Sequence, residues 1–173
     1  MAEEQQIYIG LGSNMDDRYQ NLKNGIKFLN DHPHIWITDQ SHVYQSPPMY
    51  ILEQDDYYNM VIELETNLTP LELLSVIKRI EVKVGRDRKS KRNMPRILDI
   101  DILAFGDLQI DSDLLEIPHP GISSRKFVLK PWNDIAPDYS VPKYSAKVSE
   151  LLEDTDDNSD TRMVLIFNKE GIQ

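Results

Sequence analysis

Two aspartates lie two positions apart in an otherwise apolar segment, Leu98-Asp99-Ile100-Asp101-Ile102. In a β-strand alternate side chains share a face, so both carboxylates should project from one side, with Cα atoms about 6.6 Å apart. The opposite, buried face would consist of Leu98, Ile100, Ile102 and Ala104. Mg2+ commonly uses one or two carboxylates together with substrate phosphates. The pair therefore indicates either a magnesium–phosphate site or a strand with one solvated face, which antiparallel sheets often have.

A run of basic residues directly precedes this segment. Residues 86–96 contain six of the chain's 19 Lys and Arg residues and one aspartate, whereas the whole chain has a formal charge of −10. Such a run could be a solvated loop or a nucleic-acid patch. The acidic remainder of the chain would repel nucleic acid, and the run lacks interleaved aromatic residues for base stacking. A metal-bound nucleotide triphosphate is therefore the better interpretation.

Composition favours one soluble domain over residues 1–173. The chain is 40% hydrophobic, which is enough for one core, and no apolar run reaches transmembrane length. The N-terminus does not resemble a signal peptide, so we expect a free-standing cytoplasmic protein. The absence of cysteine excludes disulfides, thiol nucleophiles and cysteine zinc sites. The acidic stretch 153–160 is expected to be a solvated loop, with a partner site as the alternative.

The elements that must position the aspartates follow the order β-α-β-β-α-β. Strands are predicted at residues 6–11, 35–45, 57–66 and 96–105. The first helix should start near Asp16 or Asp17, and the second has a capping box at Thr69-Pro70-Leu71-Glu72 and ends at Gly85. This order predicts an α+β, ferredoxin-like sandwich, an antiparallel sheet with two helices on one face, plus a C-terminal α/β extension. The aspartates would lie on the face that the helices leave open.

The glycines of Gly10-Leu11-Gly12-Ser13-Asn14 follow the first strand but do not form a nucleotide-binding motif. The segment lacks the third glycine of the dinucleotide fingerprint and the Gly-Lys-Ser/Thr of a P-loop. We interpret it as a strand-to-helix turn that needs positive backbone dihedrals. ATP would then have to bind without a Walker motif.

Several short motifs between Ile7 and Tyr139 resemble, in order and spacing, those of the 6-hydroxymethyl-7,8-dihydropterin pyrophosphokinases of folate biosynthesis. They are Gly12-Ser13-Asn14, Tyr44-x-Ser46-Pro47-Pro48, Asp56-Tyr57-x-Asn59, Glu81-x-x-x-Gly85-Arg86, Pro95-Arg96-x-Leu98-Asp99-Ile100-Asp101-Ile102, Pro118-His119-Pro120, Arg125-x-Phe127-Val128-Leu129 and Ile135-Ala136-Pro137. The resemblance implies an ATP-dependent diphosphokinase that moves the β,γ-pyrophosphoryl group to the pterin hydroxymethyl oxygen and releases AMP.

The same resemblance implies roles for individual residues. Asp99 and Asp101 would hold two Mg2+ ions, and Arg86 and Arg96 would clamp the phosphates as catalytic residues. The residues implied on the ATP side are Lys78, Glu81, Arg88, Ile102, His119 and Arg125. The residues implied around the pterin are Ser46, Pro47, Pro48, Met49, Tyr57, Asn59 and Phe127.

Within the pterin set, Asn59 would read the ring edge, while Tyr57 and Phe127 would enclose the ring. Apart from the resemblance, these two aromatic residues could equally be core residues, and His119 between prolines could be an ordinary loop histidine. Lys78 and Glu81 are expected off the buried stripe of their helix.

The chain departs from the family pattern at Asn93-Met94, where many members carry Trp-Gly, and at Leu114, where some carry arginine. Two other classes of function remain open: a magnesium-dependent phosphatase or nuclease, and a nucleotide-binding regulatory module of ferredoxin-like fold. The expected partners are ATP and the pterin, without nucleic acid or membrane, and the expected state is a monomer.

Overall fold

The computed structural model describes residues 5–85 and 93–165. Its helices are α1 (Arg18–Asn30), α2 (Pro70–Val84), α3 (Lys126–Ile135) and α4 (Val148–Asp154), with a short 3-10 helix at Ile122–Ser124. Its strands are β1 (Ile7–Ser13), β2 (Ile35–Gln40), β3 (Val43–Ser46), β4 (Tyr57–Thr66), β5 (Asp99–Phe105), β6 (Ile110–Asp111), β7 (Glu116–Ile117), β8 (Ser140–Val141), β9 (Ala146–Lys147) and β10 (Arg162–Leu165). No helix in the described parts of the chain is long and apolar enough to cross a membrane.

A mixed arrangement of helices and one six-stranded antiparallel sheet forms the centre of the fold. The strand order is β10-β3-β4-β1-β5, and β2 pairs with the remaining part of β4. The single strand predicted at 35–45 is two strands, β2 and β3. Between them the Ser41 hydroxyl accepts the Val61 N–H at 2.8 Å, while the Ser41 N–H donates to the Val61 carbonyl. A side chain therefore replaces one step of the backbone ladder.

Both predicted helix starts are confirmed. The Asp17 side chain accepts the Gln20 N–H at 3.0 Å at the start of α1. Thr69 and Glu72 form the reciprocal capping box of α2, which ends at Gly85 with a φ of 127°. These two helices cover one face of the sheet and enclose a core that includes Ile9, Leu22, Ile62, Ile77 and Ile100.

The face of the sheet that α1 and α2 leave open carries the two aspartates, as predicted, and the C-terminal elements cover part of it. A second core on this face joins Tyr8, Val61 and Leu103 to Trp132 of α3 and Leu151 of α4. Tyr8 and Trp132 are fully buried, with ring centroids 5.3 Å apart. The C-terminal elements thus cover the far half of this face and leave the end that carries the two aspartates.

Strand β5 contains a register irregularity that changes the face of its last residues. Ile102 pairs with Ile9, but Ala104 pairs with Tyr8, so Leu103 is an extra residue at this point. A bulge of this kind reverses the alternation of side chains beyond it. Ala104 therefore lies in the second core, and the prediction that it shares a face with Ile100 and Ile102 is wrong.

The acidic stretch 153–160 is only partly solvated. Asp156 is exposed, but Asp157 accepts the backbone N–H of Lys126 at 2.9 Å and so contacts the start of α3. The stretch leads directly into β10 at the edge of the central sheet.

Candidate active site

A cavity of about 300 Å³ lies over the uncovered end of the sheet. Its walls are formed by β1, β4 and β5, by the loop that follows β3, and by the start of α3. Twelve residues that the sequence analysis assigned to the site line this cavity: Ser46, Pro47, Pro48, Met49, Tyr57, Asn59, Arg96, Asp99, Asp101, His119, Arg125 and Phe127.

The glycines of β1 form part of the cavity lining next to the aspartates. Gly10 pairs with Asp101 and Gly12 with Asp99, so β1 places no side chain beside either carboxylate. The prediction of a turn with positive dihedrals is wrong here, because both glycines lie inside the strand and neither has a positive φ. Their function is to keep space free rather than to bend the chain.

Gly12 also allows an asparagine to approach the strand closely. A Cβ at Gly12 would lie 2.9 Å from Oδ1 of Asn59, its partner on β4. The amide of Asn59 donates through Nδ2 to Oγ of Ser46 at 2.7 Å, and Asn59 is buried. The amide is thus held in one orientation at the cavity wall, as recognition of a heterocycle with mixed donors and acceptors requires.

The aspartate pair has the electrostatics of a cation site. Burial, the charge of Asp99 and the charge of Glu81 raise the pKa of Asp101 well above its usual range, although Arg125 and Lys78 oppose this. A cation near the pair would relieve the repulsion. In the parts of the chain that the structure describes, no cluster of three or more His, Cys, Asp or Glu side chains could hold a metal. Two carboxylates match Mg2+, which takes its other oxygen ligands from phosphates and water.

Glu81 lies beneath β5 and not on the helix surface. Its side chain is fully buried, which corrects the prediction that it lies off the buried stripe of α2. Oε2 accepts the Ile100 N–H at 3.1 Å, and Oε1 accepts from Nζ of Lys78 at 3.3 Å. Lys78, Glu81 and Ile102 do not line the cavity. The side chain of Ile102 belongs to the helix-facing core, which leaves only its backbone for a nucleotide.

His119 and Arg125 both line the cavity and lie close enough to each other to interact electrostatically. Burial and the charge of Arg125 lower the pKa of His119 to about 4, despite the opposing effect of Asp99. His119 Nδ1 accepts the Gly121 N–H at 3.2 Å, which is consistent with a neutral imidazole. A Cβ at Gly121 would lie 2.6 Å from Nε of Arg125. The absence of a side chain at Gly121 therefore allows the Arg125 guanidinium to lie against the backbone there.

The two candidate aromatic residues both lie at the cavity, and Phe127 also packs against the second core. Tyr57 and Phe127 are both half-buried and line the cavity. Burial and the charge of Asp99 raise the pKa of Tyr57, whereas Arg96 lowers it. Tyr57 therefore lies within electrostatic reach of the residues proposed for the phosphates.

A hydrogen-bond network that the sequence analysis missed joins three loops at the cavity. The buried Asn14 accepts the Arg96 N–H through Oδ1 at 2.8 Å and donates through Nδ2 to Gln54 Oε1 at 3.0 Å. Gln54 in turn donates to the carbonyl of Asn93. Asn14 belongs to the motif Gly12-Ser13-Asn14, so the sequence offered a reason to consider it. Gln54 has no such signal apart from its position in a polar loop.

The basic run is described only at its end. Arg86 and Arg88 lie outside the described residues. Asn93 and Met94 both line the cavity at the position of the family's Trp-Gly. Asn93 has a φ of 63°, a left-handed conformation that asparagine tolerates better than large aromatic residues do.

Comparison with known proteins identifies the relatives of this chain. The family model described as 7,8-dihydro-6-hydroxymethylpterin-pyrophosphokinase (HPPK) matches residues 8–137. The chain is 35% identical over 143 residues to the 2-amino-4-hydroxy-6-hydroxymethyldihydropteridine pyrophosphokinase of Bacillus subtilis, covering 83% of this chain and 85% of that protein. It is 43% identical over 136 residues to the folic acid synthesis protein FOL1 of Dictyostelium discoideum, covering 79% of this chain but only 20% of that protein.

Solved structures agree at the level of the fold. The wild-type HPPK-DHPS of Plasmodium falciparum with pteroate has a TM-score of 0.70 and 18% identity, over 87% of this chain and 42% of that one. The family match covers three quarters of the chain and includes every described residue of the cavity. The chain therefore belongs to the 7,8-dihydro-6-hydroxymethylpterin-pyrophosphokinase family.

Proposed function

We propose that this chain transfers the β,γ-pyrophosphoryl group of ATP to 6-hydroxymethyl-7,8-dihydropterin, in folate biosynthesis. The hydroxymethyl oxygen attacks the β-phosphorus and loses its proton to solvent, the bond between this phosphorus and the oxygen shared with the α-phosphate breaks, and AMP leaves. One observation supports the proposal above all. A single cavity contains the carboxylate pair Asp99 and Asp101 with cationic side chains nearby, and also the hydrogen-bonded amide of Asn59 with two aromatic residues.

The phosphate half of the site contains Asp99, Asp101, Arg96, His119 and Arg125. The two aspartates would hold two Mg2+ ions. Bound Mg2+ supplies positive charge at the phosphates and orients the groups for in-line displacement. Arg96 and Arg125 supply planar guanidinium donors, which suit bidentate contacts to phosphate oxygens. His119 is neutral near pH 7 and serves as a hydrogen-bond donor, not as a further charge.

The phosphate half also includes four predicted residues: two lie outside the described residues and two lie away from the cavity lining. Arg86 and Arg88 are proposed to join the phosphates from the basic run. Lys78 and Glu81 are proposed to act from beneath β5, through the charge that they place near Asp101.

The pterin half of the site contains Asn59, Tyr57, Phe127 and the loop from Ser46 to Met49. Asn59 can donate and accept at the ring edge, and its bond to Ser46 fixes which atom does each. The aromatic residues would enclose the ring, since aromatic groups pair favourably in stacked or tilted arrangements. Pro47 and Pro48 restrict the loop backbone, which therefore offers its groups at low entropic cost.

The observed strand order supports a finer assignment of the fold. If the edge strand β10 is left out and β2 and β3 are counted as one strand, the remaining order β3-β4-β1-β5 is that of a ferredoxin-like sandwich. The elements after β5 then form a C-terminal α/β extension. We propose that residues 1–173 act as one pyrophosphokinase domain, because the described cavity residues lie on or around one central sheet, and that the protein is a monomer.

The nucleotide product tests this proposal. The protein is incubated with ATP, Mg2+ and reduced hydroxymethylpterin, and the nucleotides are separated. AMP formation that depends on the pterin supports the proposal, whereas ADP or inorganic phosphate supports a phosphatase or another kinase. Asp101→Asn should lower AMP formation by orders of magnitude with the fold retained. The matched control is Asp113→Asn, at an exposed position away from the cavity.

A further inference from the structure

The C-terminal segment, residues 155–165, contacts two elements that line the cavity, α3 and β3, although the family match ends at residue 137. On one side it is hydrogen-bonded to the 3-10 helix and to α3. On the other side its last four residues form β10, which pairs with β3. We call this segment the strap.

Asp157 of the strap occupies the N-terminus of α3. Its Oδ2 accepts the Lys126 N–H at 2.9 Å, and its Oδ1 accepts the Ser159 N–H at 2.9 Å. The N-cap residue of α3, Arg125, makes no side-chain cap hydrogen bond of its own. A carboxylate at this place satisfies a free helix amide and interacts favourably with the helix dipole. Burial works to raise the pKa of Asp157, but the bonds from Ser159 and Lys126 outweigh it and hold the pKa below its usual value.

Further hydrogen bonds hold the strap along α3. Lys130 donates through Nζ to the Thr161 carbonyl at 2.7 Å, and Lys126 donates through Nζ to the Ser159 carbonyl at 3.3 Å. Thr155 donates through Oγ1 to the carbonyl of Ser123, in the 3-10 helix, at 2.9 Å. The strap is therefore fixed to both the 3-10 helix and α3.

The same end of α3 carries two residues of the proposed site. Arg125 is its N-cap residue and Phe127 lies in its first turn, and both line the cavity. The Arg125 guanidinium lies 5.9 Å from the centre of the Phe127 ring. Any change in the position of the first turn of α3 therefore moves a phosphate-side residue and a pterin-side residue together.

The strap also pairs with β3, whose last residue lines the cavity. In β10, Arg162 pairs with Gln45 and Met163 with Tyr44, both in β3, which ends at Ser46. The Tyr44 hydroxyl also donates to Asp134 of α3 at 2.8 Å. The strap and this tyrosine thus fix β3 and α3 relative to one another, and with them Ser46 and Phe127 of the cavity lining.

We propose that the strap positions β3 and the start of α3, two of the elements that line the substrate cavity, and that Asp157 is a positioning residue which holds Arg125 and Phe127 in their binding geometry. This inference rests on the proposed function, because ATP and the pterin are the ligands whose affinity it predicts. The inference gives the acidic C-terminal stretch, which lies beyond the family match, a role in substrate binding.

Asp157→Ala tests the inference, with Asp156→Ala as the matched control, since Asp156 is the adjacent and exposed carboxylate. Calorimetry measures the affinity of the folded variants for the pterin and for a non-hydrolysable ATP analogue with Mg2+. Asp157→Ala should weaken both affinities by about three- to tenfold, because the first turn of α3 loses its cap. Asp156→Ala should match the wild type. A merely structural role would lower the melting temperature and leave the affinities of the folded protein unchanged, and that result overturns the inference.

A second variant and a ligand-free measurement keep the test decisive. Asp157→Asn retains one side-chain acceptor oxygen and should lose less affinity for the two ligands than Asp157→Ala does. If Asp157→Ala does not fold, wild-type affinities in Asp157→Asn overturn the inference. Hydrogen exchange of the Lys126 amide, measured without ligands, should be faster in Asp157→Ala than in Asp156→Ala, and equal exchange also overturns it. A wild-type protein that forms no AMP contradicts the proposed function instead, and leaves the exchange result interpretable.

Discussion

Replacing Gly12 with alanine should separate pterin recognition from the stability of the fold. The new Cβ would lie 2.9 Å from Oδ1 of Asn59, about 0.5 Å closer than an ordinary contact allows. Oδ1 is the end of a side chain, so the amide can turn aside and the strand need not move. Asn59 then loses the orientation that its 2.7 Å bond to Ser46 provides.

The substitution should mainly weaken the binding of the pterin. A buried polar group that loses its partner costs about 1–3 kcal/mol, and each 1.4 kcal/mol is about tenfold in affinity, so the pterin should bind about tenfold more weakly or worse. The free energy of unfolding should fall by only about 0.5–1.5 kcal/mol, the net value of the lost Asn59–Ser46 hydrogen bond, because Gly12 has no positive φ and alanine itself is compatible with the strand. Calorimetric titration of the pterin without nucleotide, together with thermal unfolding, measures both quantities.

Gly10→Ala is the matched control. It lies on the same strand and also lines the cavity, but its Cβ would meet only the side chain of Leu103, at 3.4 Å. Pterin affinity in this control should stay within about twofold of the wild type. Equal affinities in Gly12→Ala and Gly10→Ala would refute the assignment of Asn59 to the pterin.

Three further predictions concern the surroundings of the cavity. Gln54→Leu removes both hydrogen bonds of its side chain and should speed hydrogen exchange in residues 46–56 of the free protein; unchanged exchange would contradict this. The second prediction concerns pH: the pKa of His119 is about 4 in the folded protein and about 6.5 in the unfolded chain. As the pH falls from about 6.5 to 4, the unfolded chain therefore binds a proton at His119 and the folded protein does not, so the free energy of unfolding should fall by up to about 3 kcal/mol. Denaturant titrations should show a smaller loss in His119→Asn but the wild-type loss in His34→Asn, at an exposed histidine. Glu81→Gln should lower the pKa of Asp101, because a like charge is removed; a carboxyl titration by NMR that shows no decrease would count against the coupling.

The sequence predicted what depends on nearby residues. The starts of α1 and α2 were predictable because Asp17 and Thr69 cap amides three residues away. The shared face of Asp99 and Asp101 was also predictable, since it follows from the alternation of side chains in one strand. The aromatic lining and Asn59 came from the family resemblance and not from local rules.

The features that could not be predicted depend on contacts between distant segments. The burial of Glu81 results from the packing of α2 against β5, where Glu81 accepts the N–H of Ile100. The need for glycine at position 12 results from a partner 47 residues away on β4. The reversal at Ala104 required the pairing register of β1 with β5, which no single-strand pattern contains.

The fate of the individual phosphates of ATP tests the central claim most directly. ATP labelled separately at the β- or the γ-phosphate is supplied with Mg2+ and reduced hydroxymethylpterin, and the pterin product is isolated. Transfer as one pyrophosphoryl unit predicts that both labels appear in the pterin, in equal amounts and equimolar with AMP. Transfer of the γ label alone, or release of either label as inorganic phosphate in step with AMP, would contradict the account.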